Sequence, residues 1–174
     1  MVIKKILDYN KNKKIKRTMK EKNIHIERVL NDKFKGEFIC SIKVGDTFEL
    51  QFSNKLYLSA QNISFLEEKK VNNIYEEKYK KILEGAIDKE NISKMTLLTS
   101  VLRKEIESIN VNDDNSLIIN IKNGFNLIIN SNVDIVDWQW FIGEYSNENP
   151  YNSSSKEIIT CFFKNEPITY ELNK

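Results

Sequence analysis

Residues 116–129 and 47–60 align without a gap, and both alternate apolar and polar side chains around a central turn. Phe48 matches Leu117, Leu50 matches Ile119, and Phe52 matches Ile121. After the turn Leu56 matches Phe125, Leu58 matches Leu127 and Ala60 matches Ile129, with Asn54 and Asn123 at the same turn position. A period of two excludes helix and demands half-buried antiparallel strands. Upstream, Ser41-Ile-Lys-Val44 matches Ser108-Ile-Asn-Val111, with two extra turn residues in the second copy. The shared leader and turn point to an internal repeat. One copy supplies three strands, a marginal core by itself.

Phase fixes the register of the second hairpin. Asn-Gly usually closes a two-residue loop. Here that loop puts Asn126 and Asn130 on the face of Leu117, Ile119 and Ile121. A three-residue loop over 122–124 instead pairs Ile121 with Phe125, Ile119 with Leu127 and Leu117 with Ile129. A one-residue slip inverts every side chain, so the expectation is the three-residue loop with Gly124 left-handed in a bulge.

Residues 24–30 read as a short helix. Residues 71–87 read as a longer one, with Tyr75, Tyr79, Ile82, Leu83 and Ala86 on an inward face. A second short helix is expected over 94–102, capped by Ser93, with Leu97, Leu98, Val101 and Leu102 inward. A strand over 138–142 and a closing hairpin over 158–172 follow the acidic bend. The fold class is therefore α+β: two duplicated antiparallel meanders with helices between them. The organisation expected is a basic arm or short element over 1–23, a first lobe over 24–96 and a second lobe over 97–174, which one compact domain can also contain.

Net charge is +2 but uneven. Residues 1–22 hold nine Lys or Arg against two acidic residues, leaving the body mildly acidic. Lys11, Lys13, Lys14, Lys16, Arg17 and Lys20 are the candidates for contacting nucleic acid. No aromatic interleaves these lysines to stack a base, which favours a solvated segment. No apolar run reaches the roughly 20 residues of a membrane span, and the first residues do not read as a signal peptide. Cys40 and Cys161 have no metal or redox spacing and sit in apolar strand-like runs, as reduced core thiols of a cytoplasmic protein do.

The residues give no support to catalysis. His25 is the only histidine, without a nucleophile or orienting group near it in sequence, so no Ser-His-Asp arrangement beyond it exists. There is no glycine-rich phosphate loop, no metal-binding set and no sign of a cofactor. Asp134, Asp137 and Glu144 have the spacing of a bend and strand ends rather than of a paired-carboxylate site. Asp113 and Asp114 with Asp134 and Asp137 lack the spacing of a calcium loop. Trp138 and Trp140 share a face if their strand is regular; Trp138 is expected buried and Trp140 partly so, as a possible interface anchor.

The run from Leu98 to Ile109, the hairpin of 116–129 and the Asp137-Trp138 pair resemble a family of uncharacterised small bacterial β-rich proteins. The resemblance covers mainly residues 97–142. Some such proteins look like immunity proteins encoded beside toxins. The resemblance implies a non-enzymatic protein that neutralises a toxin by covering its surface. It carries no catalytic residue. The chain departs from that pattern in its basic arm and in lacking a glycine-rich final hairpin. Candidate partner contacts are Asp134, Asp137, Trp140, Glu144, Tyr145, Glu148 and Tyr151, in the acidic bend and the loop beyond it. The alternative is a nucleic-acid-associated protein working through the basic arm.

Overall fold

The computed structural model describes residues 23–79, 89–122, 124–134, 136–144, 157–163 and 166–170. The basic arm, Ile82, Leu83, Ala86, Tyr145, Glu148 and Tyr151 lie outside them. The fold is α+β, with helices and two antiparallel sheets.

Residues 23–34 form α1. Asn23, Ile26, Leu30 and Phe34 recur every three or four residues, and all four are buried. Gly36 ends the helix at φ +86°, the left-handed region where a side chain strains the backbone. Strands β1 (Ile39–Val44), β2 (Phe48–Phe52), β3 (Leu56–Ala60) and β4 (Ile63–Phe65) follow. Helices α2 (Glu68–Lys78) and α3 (Lys89–Val101) lead to β5 (Ile106–Val111), β6 (Leu117–Ile121) and β7 (Phe125–Ile129). The last strands are β8 (Trp140–Glu144), β9 (Glu157–Cys161) and β10 (Thr169–Tyr170).

The register of β6 with β7 is the one that phase demands. Ile121 faces Phe125, Asn120 faces Asn126 and Leu117 faces Ile129. Gly124 sits at φ +87° and donates its N–H to Ile121 O at 3.1 Å. The first hairpin closes in the same way: Lys55 at φ 66° donates to Phe52 O at 3.2 Å, and Leu50 faces Leu58. The correspondence extends upstream. β1 meets β2 with a register shift between Ile39 and Ser41, and β5 meets β6 with the same shift between Ile106 and Ser108. Arg103, at φ 59°, follows α3 as Gly36 follows α1. Gly36 N–H bonds Ile106 O and Arg103 N–H bonds Ile39 O, each at 2.9 Å.

The two meanders also exchange their fourth strands. The sheet orders are β1-β2-β3-β8-β9-β10 and β4-β7-β6-β5. β4 leaves the first meander after two residues and pairs with β7, Ile63 facing Ile129. β8 leaves the second meander and pairs with β3, Trp140 facing Ala60. The corners mirror one another: Gln61 N–H bonds Gln139 O at 2.9 Å, and Asn130 N–H bonds Asn62 O at 3.0 Å. A single apolar cluster joins α1, α3 and both sheets.

Several local expectations need correction. α2 begins earlier than its apolar spacing implies, and no described residue of it is buried. Tyr75 is half-buried and Tyr79 is exposed; their rings lean on each other at 5.8 Å instead of entering the core. Ser93 is not a cap. It lies buried inside α3, where its hydroxyl bonds Asn72 of α2. Leu97, Leu98 and Val101 do point inward. Strand β4 was not anticipated at all.

Candidate functional site

Asn115 is the point where four parts of the chain meet. The turn that holds it is built by short polar side chains. Asp114 Oδ1 accepts from Ser116 N–H at 3.0 Å and from its hydroxyl at 2.6 Å, and Asn112 Nδ2 donates to Ser116 Oγ at 2.8 Å. This places Asn115 at φ 66°, a conformation asparagine tolerates better than most residues. Its fully buried side chain donates to Phe163 O at 3.1 Å and Glu166 O at 2.6 Å, and accepts from Asn23 Nδ2 at 3.2 Å. Its carbonyl accepts from Trp140 Nε1 at 2.9 Å.

The acidic bend is fastened to the same region. Gln139, 2 % exposed, accepts from Val133 N–H and donates to Val133 O, both at 2.9 Å. One amide thus supplies the donor and the acceptor that a neighbouring strand would supply. Ser131 bonds Asp114 O, tying the bend to the Asn115 turn. Asp113, Asp114, Asp134, Asp137 and Glu166 are all exposed on these connected turns. None of the five forms an ion pair with a described residue.

Of the expected contacts, the structure brings Asp134 and Asp137 to this end and leaves Glu144 away from it. Glu144 closes β8 opposite Leu56, four residues beyond Trp140, or about 13 Å along a strand. Trp140 is excluded from any contact because it is wholly buried, and Trp138 is the half-buried one. The order is reversed because the strand begins at Trp140, so Trp138 still belongs to the bend. Its ring packs on Phe141 at 4.8 Å, and Phe141 packs on Tyr57 at 5.7 Å. Tyr57 in turn covers Gly143, where an added Cβ would lie 2.7 Å from the ring. Asp113, Asp114 and Glu166 join the acidic end without having been singled out as partner contacts. The sequence signal for Asp113 and Asp114 was the polar turn cluster of 112–115, and Glu166 lies outside it, in the closing hairpin.

Among the described residues no three carboxylate, imidazole or thiol groups converge to hold a metal ion. His25 is exposed, with its ring edge-on to Tyr170 at 6.4 Å. The cysteines differ from each other. Both are free, but Cys40 is exposed and Cys161 is buried. Burial, then the charges of Asp114 and Glu166, push the Cys161 thiol up to about 12. Since the thiolate is the reactive form, Cys161 stays inert from pH 7 to 9. A maleimide should therefore label one thiol of the native protein across that range. Cys40→Ser should abolish the labelling, and denaturant should restore one site. Two labelled thiols in native protein would contradict the placement of Cys161.

No helix among the described residues is long and apolar enough to cross a membrane. Compared with protein-family models, characterised proteins and solved structures, the chain finds no match.

Proposed function

We propose that this chain is a cytoplasmic, non-enzymatic binding protein whose acidic end covers a basic surface on a protein partner. Its sharpest form is an immunity-type protein that blocks a toxin encoded beside it. The observation that supports this reading is the fixed display of carboxylates: Asp113, Asp134 and Asp137 stand exposed, without an ion-pair partner among the described residues, on turns held by Asn115 and Gln139. Side chains on a prearranged backbone lose little freedom on binding, and like charges held together gain most from a basic partner. Toxins that act on nucleic acid present such a basic cleft.

The test is titration calorimetry of the full chain against the toxin domain of the neighbouring gene. Asp113→Lys, Asp134→Lys and Asp137→Lys combined should weaken binding about 100-fold or more without loss of the fold. Glu144→Lys, at the far end of β8, should leave affinity within about threefold. Unchanged binding by the triple variant would sink the proposal. The basic arm supports a second reading, association with nucleic acid. Removing residues 1–22 separates the two: it abolishes salt-sensitive DNA or RNA binding in that case and leaves toxin protection intact in the first.

A further inference from the structure

We draw no further inference here: the strongest candidate, the exposed acidic patch of Asp113, Asp114 and Glu166 beside the start of α1, where Asn23 bonds the Asn115 turn, belongs to the acidic end already described, and nothing among the described residues shows what covers it.

Discussion

Asn115→Ala is expected to remove about 3–4 kcal/mol of stability, a large part of what a domain of this size has. The loss has two sources. The carbonyls of Phe163 and Glu166 lose a buried donor, each such loss costing about 1–3 kcal/mol. Alanine also resists the φ of 66° that asparagine accepts. Asn115→Gly isolates the first source, because glycine takes that φ freely and should recover about 1 kcal/mol. Asn115→Asp turns a carboxylate oxygen towards those two carbonyls. Burial beside acceptors raises a carboxyl pKa in the folded state, so the native protein holds its proton more tightly than the unfolded chain. Stability of this variant should thus be best below about pH 4 and fall as pH rises. Urea unfolding at pH 4 and pH 7 measures both effects. A loss below about 1 kcal/mol for Asn115→Ala would show that the node is dispensable.

Trp140→Ala is expected to cost about 4 kcal/mol or more. The ring is wholly buried, and its N–H holds the Asn115 carbonyl. Trp140 also begins the strand that the second meander lends to the first sheet, facing Ala60 on one side and Cys161 on the other. Its removal opens a cavity where both sheets, the acidic bend and the β9–β10 turn depend on one another. Trp140→Phe keeps most of the volume and loses the hydrogen bond, so about 1–2 kcal/mol is expected. Trp138→Ala, in the bend and half-buried, should cost clearly less than Trp140→Ala. Thermal unfolding of the three variants gives the order. Equal losses for Trp138→Ala and Trp140→Ala would contradict the assigned burial.

What the sequence shows clearly is pattern, and pattern fixes faces. The alternation around Gly124 was enough to reject the usual Asn-Gly loop and obtain the observed register. It was also enough to align Ser41 with Ser108, residues that flank matching register shifts. Pattern does not say what covers a face. Tyr75 and Tyr79 are four residues apart, the helical spacing, yet Tyr75 is only half-buried and Tyr79 stays 44 % exposed at the end of α2, since no packing partner is fixed by spacing alone. Nor does it show strand exchange. Ile63-Ser-Phe65 is too short to display a period, and its place beside β7 is decided by the sharp corner at Gln61 and Asn62. The Trp138 and Trp140 assignment failed for a related reason: two residues apart means one face only within a regular strand. The acidic bend was legible as exposed charge. Its attachment through Gln139 and Asn115 rests on contacts that no local spacing announces.

The exchange of β4 and β8 makes the central claim: the two halves of the chain form one cooperative unit, with the acidic end carried at their junction. Native-state hydrogen exchange along a urea series tests this most directly. The amides of Leu58 and Ile142 in the first sheet and of Ile119 and Leu127 in the second are the probes. All four should open with the free energy and urea dependence of global unfolding, agreeing within about 0.5 kcal/mol. Opening of Ile119 and Leu127 at several kcal/mol below global unfolding, with Leu58 and Ile142 still protected, would mean that the halves unfold separately and that the exchanged strands do not lock them together.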